Sequence, residues 1–243
     1  MDPNGKVALV TGAGRRVGRA LALALGDAGC RVAVHFGQSG NDAQETVSLI
    51  RSMGSEAIAI QADLEDPAQI ESLTNSVAEQ LGPIEILVNN ASIFDKIGLE
   101  ESSNEIWDRH FAINARAPFL LAQTMLSQLG NDAPGKIINL NDWHTARPTR
   151  FAYGVSKAAL SGLTRTLALS MAPHIQVNEL SLGAIMPPSD IPLDRPKSEI
   201  QIDLGPADRM GSLNEVADAM MMLVQNDFIT GETINVDGGR HVQ

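Results

Sequence analysis

The sequence predicts an α/β fold: a single-domain, doubly wound (Rossmann-like) seven-stranded parallel sheet with helices on both faces. Three observations predict it. Short β-branched apolar runs alternate with segments of helical periodicity, the first run meets a glycine-rich turn that opens a helix, and no composition shift marks a domain boundary in 243 residues. A chain of this length buries about three quarters of its unfolded surface, enough for a substantial core.

The elements follow in order. Lys6 to Thr11 (KVALVT) reads as a strand and Arg16 to Ala28 as the helix behind it. A second strand covers Arg31 to Phe36, a turn-rich GQSGND leads to a helix from Ala43 to Met53, and Glu56 to Gln61 makes the third strand. A helix from Pro67 to Leu81 precedes the strand Glu85 to Asn89, whose apolarity on both sides suits a parallel strand. One long helical pattern from Asn104 to about Leu129 comes before the strand Lys136 to Leu140, and a further helix runs to about Ala172. A sixth strand lies around Val177, a helix over Asn214 to Gln225, and a seventh strand over Glu232 to Val236. Met186 to Gly211 breaks the rhythm, with five of the twelve prolines, and is expected to be a substrate-binding loop.

Composition excludes several classes of function. Lys and Arg total 18 against 29 Asp and Glu, a formal charge of -11 that argues against nucleic acid or an anionic membrane as partner. One cysteine, Cys30, rules out an internal disulfide framework and fits a reducing compartment, and five scattered histidines offer no metal-ligand spacing. No secretion signal and no apolar run near 18 residues is present, so a cytoplasmic location is expected.

Two motifs carry chemistry. Tyr153-x-x-x-Lys157 places a phenol and an ammonium on one helix face, and the positive charge is expected to move the tyrosine toward proton exchange near neutral pH. Thr11-Gly-Ala-Gly-Arg-Arg-Val-Gly18 lies between strand and helix, where backbone N–H groups and a positive helix end receive a pyrophosphate. At the end of the second strand, His35-Phe36-Gly37-Gln38-Ser39 has no carboxylate for ribose hydroxyls. With Arg15 and Arg16 in the facing loop, this favours the 2'-phosphate of NADP over NAD. Asp63-Leu64 is expected to contact the adenine or, for Asp63, to cap the next helix.

These motifs, with Asn89-Asn90-Ala91 after the fourth strand, Asn114 in the helix that follows and the terminal Val236-Asp-Gly-Gly239, give a chain that resembles the short-chain dehydrogenase/reductase family over nearly its whole length. The resemblance implies Tyr153 as proton donor, Lys157 as the holder of the nicotinamide ribose and Asn114 as support for a water relay. It also implies cofactor contacts at Gly12, Val17, Gly18, Asn90, Ala91, Ser92, Gly183 and Ile185, and a homotetramer built on the two long helices. Arg16 stands where most members have glycine, and Asp142, in Asn141-Asp142-Trp143-His144, where most have serine. Both are similar to the NADP-dependent pteridine reductase branch, as are Ser92 and Phe94, and imply that Phe94 sandwiches a flat pterin against the nicotinamide. Departures are the segment from Asp142 to Tyr153, shorter than in that branch, and Leu182-Gly183 in place of Pro-Gly.

Ordinary roles compete at several positions: Asp142 as a turn cap, Phe94 as core, Trp143 and His144 as pocket lining or incidental, Cys30 as inert and Met220 to Met222 as core packing. Arg147 and Arg150 read as solvated loop charges unless one meets an acidic substrate tail. The leading expectation is an NADPH-dependent reductase of dihydrobiopterin, dihydromonapterin or dihydrofolate. The alternatives are a carbonyl or 3-oxoacyl reductase and a non-catalytic NADP-sensing protein.

Overall fold

The computed structural model describes residues 1–130, 132–187 and 204–242. Seven strands form one parallel sheet: β1 (Val7–Val10), β2 (Arg31–Phe36), β3 (Ala57–Gln61), β4 (Ile86–Asn89), β5 (Gly135–Asp142), β6 (Ile175–Leu182) and β7 (Thr233–Val236). Their order is β3-β2-β1-β4-β5-β6-β7. The helices are α1 (Arg16–Asp27), α2 (Gly40–Ser52), α3 (Pro67–Gln80), α4 (Asn104–Phe111), α5 (Ala117–Leu129), α6 (Phe151–Ser170) and α7 (Leu213–Gln225). All seven expected strands are present, and the helices match apart from one split; α2 starts three residues earlier than expected, β5 runs two residues further, and the remaining boundaries differ by one or two residues.

Alternate residues of each strand point to opposite faces, which divides the apolar residues into two cores. Val10, Val32, Val34, Ile86, Val88 and Ile138 pack under α1, α2 and α7, whereas Leu9, Leu87, Ile137 and Val177 pack under α3 and α5. Strand order reverses between β1 and β4, where Ala8 pairs with Ile86 and Val10 with Val88. Ligands of doubly wound sheets bind at the carboxyl ends beside such a reversal, so the loops after β1, β4 and β5 frame the site.

One expected helix is two. Residues 104–129 contain a π turn, Ala112–Arg116, between α4 and α5. The wider turn carries Asn114 and is a local departure of the kind often found at functional positions.

Candidate active site

Tyr153 and Lys157 are both buried on the sheet side of α6. The loop after β5 returns across the first turn of this helix through a 3-10 turn, Pro148–Arg150. Gly154 permits the crossing, since a Cβ there would stand 2.1 Å from the Thr145 carbonyl oxygen. Asp142, the last residue of β5, is thereby brought to the tyrosine. Tyr153 donates its hydroxyl to Asp142 Oδ2 at 3.0 Å, while Oδ1 accepts from Arg147 Nη2 at 2.7 Å and from the His144 amide at 3.0 Å. Arg147 Nε donates to the His144 carbonyl as well, so one guanidinium closes the short segment that separates Asp142 from Tyr153.

The electrostatics reverse one expectation. Tyr153 is pushed well above its ordinary value of 10.0, first by burial, then by the charge and hydrogen bond of Asp142, with Arg147 and Arg150 pulling back in part. Desolvation and a carboxylate at contact outweigh the i,i+4 lysine. Lys157 instead donates Nζ to the Leu140 carbonyl at 2.8 Å and is itself lowered to about 8 by burial, against the upward pull of Asp142 and Glu179. Near neutral pH the tyrosine is therefore a protonated hydroxyl, the form that gives a proton.

A second group fixes the loop after β4. Buried Asn114 accepts at Oδ1 from Ser92 Oγ at 3.0 Å and the Ile93 amide at 3.1 Å, and donates Nδ2 to Ser156 Oγ at 3.0 Å and to the Ile93 carbonyl. Its side chain is fully engaged, joining the Ser92 loop to α6 one turn from Tyr153. Phe94 follows in that loop, with its ring edge-on to Tyr153 and centroids 4.5 Å apart. Arg150 is no solvated charge: it is buried, its guanidinium lies 3.6 Å from the Phe94 ring centroid, and Nη1 donates to the Phe94 carbonyl. Arg147, bound to Asp142, corrects the same expectation. Trp143 stacks under Arg240, and its indole N–H is buried with no partner among the described residues, whereas His144 is exposed.

The glycine loop has the shape a dinucleotide requires. Gly12 takes φ 63°, and a Cβ on Gly18 would stand 2.2 Å from the Gly12 carbonyl oxygen. Arg16 adopts φ 56°, a left-handed conformation that glycine holds without cost, which explains why this position favours glycine. α1 has no acidic residue in its first turn, so its positive end faces the loop. Thr11 Oγ1 accepts from the Asn90 and Ala91 amides at 2.9 and 3.0 Å, and Asn90 Nδ2 donates to the carbonyls of Thr11 and Gly12. These contacts join the two loops across the reversal point. Val17 is half-buried at the start of α1. Gly183 packs so closely on the terminal motif that a Cβ would lie 2.5 Å from the Asp237 Cα, and Ile185 is buried behind it.

Several residues expected at the cofactor also make contacts within the chain. His35 is buried: Nδ1 accepts from the Gly12 amide at 3.1 Å and Nε2 donates to the Ala62 carbonyl at 3.1 Å, a tautomer fixed by those partners. It supports the glycine loop from below, and burial lowers it to about 4. Leu64 is buried in the core under α3. Asp63 does not cap that helix; its Oδ1 accepts from the Glu65 amide, and Asp66 is the cap. Arg16 donates to the Pro187 carbonyl at the start of the expected substrate loop, whereas Arg15 is exposed. Ser39 Oγ lies beside Gly14, 2.8 Å from where a Cβ would stand, and Phe36 is half-buried next to Gly40. Residues 188–203 of the expected substrate loop lie outside the described residues.

Known proteins are similar to this chain over nearly its whole length. The family model described as enoyl-(acyl carrier protein) reductase, adh_short_C2, matches residues 12–241. An uncharacterized oxidoreductase of Thermotoga maritima is 35% identical over 98% of both chains. The chain belongs to the short-chain dehydrogenase/reductase family. Within it, 3-oxoacyl-[acyl-carrier-protein] reductase FabG of Staphylococcus epidermidis is 32% identical, with 98% of this chain and 99% of the relative covered. Among solved structures, FolM alternative dihydrofolate reductase 1 from Brucella canis complexed with NADP superposes with TM-score 0.92 at 33% identity, covering 100% of this chain and 96% of that one. The angucycline C-6 ketoreductase LanV with bound NADP superposes with TM-score 0.88 at 32% identity, covering 100% and 98%.

Two residues that build this site, Ser156 and Gly154, were not singled out from the sequence, and Thr11, Arg147 and Arg150 take structural roles that the sequence did not suggest. Of the two, only Gly154, beside Tyr153, carries a local signal, because glycine inside a helix needs a packing reason.

Proposed function

We propose that this short-chain reductase uses NADPH to reduce a dihydropterin-type substrate such as dihydrobiopterin, dihydromonapterin or dihydrofolate. One observation carries the reading: a carboxylate, Asp142, occupies the last position of β5 and accepts the Tyr153 hydroxyl at 3.0 Å. A carbonyl needs only a hydroxyl to polarise it, whereas a ring C=N gains from a carboxylate that binds N–H groups and a hydroxyl that supplies a proton. The NADP-bound dihydrofolate reductase neighbour supports the substrate class and the cofactor.

The residues fit the cofactor, because the turn from Gly12 to Gly18 leaves no room for a Cβ at Gly18 and opens on an unopposed helix end. When bound, NADPH supplies the hydride. Lys157 would hold the nicotinamide ribose, the amides of Gly14 to Val17 would face the pyrophosphate, since those of Gly12 and Ala13 are held by His35, and Arg15 with Ser39 would receive the 2'-phosphate. Arg16 bridges the glycine loop and the substrate loop. Asn90, Ala91, Gly183 and Ile185 line the nicotinamide end. Tyr153 gives its proton to the substrate, Asp142 orients that hydroxyl, and Phe94, fixed by Arg150, supports the flat ring, with Ser92 and Trp143 at the margins. Asn114 positions the Ser92 loop against α6. Exposed Phe119, Val155 and Leu169 on α5 and α6 suit burial in a homotetramer, and buried Cys30 suits a cytoplasmic protein.

A second reading, a carbonyl or 3-oxoacyl reductase, has the FabG relative and the ketoreductase neighbour behind it. Rates of NADPH oxidation with dihydropterins and dihydrofolate, beside a 3-oxoacyl thioester and an aromatic ketone, separate the two. Turnover of the pterin set is expected; turnover of ketones alone selects the second reading, and NADPH binding without turnover selects a sensor. Light scattering of the same preparation is expected to give a tetramer mass.

A further inference from the structure

Beneath the active site a polar layer runs between the sheet and α6. Asn89 Nδ2 donates to Asn139 Oδ1, Asn139 Nδ2 donates to Thr164 Oγ1, and Asn141 Nδ2 donates both to the Lys157 carbonyl at 3.0 Å and to Ser161 Oγ at 2.9 Å. The layer ends on Glu179 of β6, which is 2% exposed. Its Oε1 accepts from Ser161 Oγ at 3.1 Å, and more weakly from Ser181 and Thr233, while Oε2 is buried with no hydrogen-bond partner among the described residues. A buried carboxylate supported by hydroxyls alone is costly unless a cation lies near.

The elements packed around Glu179 offer few charges. β5 contributes Asn139 and Asn141 beside it, with Asp142 at its end; β6 contributes Ser181 and β7 Thr233, all without positive charge. On α6, Arg165 is exposed, whereas Lys157 is buried one turn from Ser161 on the same face. Arg147 and Arg150 are engaged at Asp142 and Phe94.

We propose that Glu179 is the buried counter-charge of Lys157, a positioning residue that keeps the ammonium charged across the space beneath α6, where Ser161 holds Glu179 one helical turn from Lys157 and Asn141 ties Ser161 to the Lys157 backbone carbonyl, while both charged groups stay out of water. Asp142 shares this task but is held by Arg147 and Tyr153, which leaves Glu179 as the carboxylate with uncommitted charge. Burial lowers Lys157, and the charges of Asp142 and then Glu179 oppose that fall. The proposal rests on the reading of Lys157 as the ribose-binding group, and its test contains one arm that needs no cofactor.

The variant is Glu179→Gln, which keeps a hydrogen-bond acceptor for Ser161 and removes the charge. In the first arm, NADPH affinity is measured by fluorescence from pH 6 to pH 10. The alkaline loss of affinity is expected to move down by about one pH unit in the variant, because one nearby charge is worth roughly that much at a partly screened site. Superimposable profiles overturn the proposal. Wild-type protein that binds no NADPH at any pH overturns the cofactor reading instead.

The second arm follows thermal unfolding of ligand-free protein. Lys157 at about 8 when folded, against an ordinary 10.5, makes the folded state shed its proton first, so this group adds stability as pH rises between those values. Glu179→Gln is expected to start that rise at lower pH, and the difference is expected to vanish in a Lys157→Met background. Persistence of the difference in that background overturns the pairing. If Glu179→Gln alone is too unstable to purify, the double variant is expected to recover folding, and failure to recover it counts against the proposal.

Discussion

Asp142 does at one residue what a serine cannot. It places a negative charge on the tyrosine hydroxyl, which raises Tyr153 and keeps the proton on it, and Arg147 compensates that charge at 2.7 Å. Asp142→Asn retains an acceptor but loses the charge, so the Tyr153 value is expected to fall while Arg147 is left without its ion pair. Dihydropterin turnover is expected to drop on the order of a hundredfold, the scale of a lost proton-transfer partner, with NADPH affinity unchanged at pH 6, where Lys157 stays charged. Arg147→Gln is expected to lower kcat in the same direction and to a lesser degree, because the His144 amide still holds Asp142 Oδ1. Steady-state kinetics beside NADPH titrations check both, and equal losses of cofactor affinity would show that the network serves the fold rather than the proton.

At the scale of elements, the loop after β1 tolerates almost no bulk at its last glycine. Gly18→Ala would press a methyl against the Gly12 carbonyl at 2.2 Å and against Asn90 Nδ2 at 2.5 Å, both part of the contact between the loops after β1 and β4. NADPH binding is expected to weaken at least tenfold with the secondary structure intact, measured by fluorescence titration and circular dichroism; unchanged affinity would remove the loop from the cofactor site. This loop was legible in the sequence because strand, glycines and helix are contiguous, as were all seven strands, whose apolar runs are local signals. The π turn at Asn114 was not legible, since helical periodicity continues through it and only packing against Ser92, Ile93 and Ser156 explains it. Arg150 was misread for a related reason. A loop arginine looks solvated until an aromatic ring from another loop covers it. Asp142 was legible as an anomaly, but its two partners across the short loop depend on how that loop folds back over Gly154.

At the scale of the whole molecule, His35 joins three adjacent strands at the cofactor end, lying on β2 and bonding to Gly12 after β1 and Ala62 after β3. Acid therefore acts on the fold through this residue. Its value of about 4 in the folded chain lies below the ordinary 6.5, so between those values the unfolded chain binds a proton that the folded chain excludes. Stability from this group is complete above pH 6.5 and is lost as pH falls toward 4, by roughly 3 kcal/mol over the window if nothing else relaxes. Urea midpoints of the wild type are expected to fall steeply across that range. His35→Leu is expected to lower stability at pH 7.5 by about 2 to 4 kcal/mol, since the Gly12 amide and the Ala62 carbonyl lose their partner, and to flatten the acid slope. An undiminished slope in the variant would place the acid sensitivity elsewhere, whereas a flattened slope with weakened NADPH binding would show that one buried imidazole sets both the acid limit of the fold and the shape of its first loop.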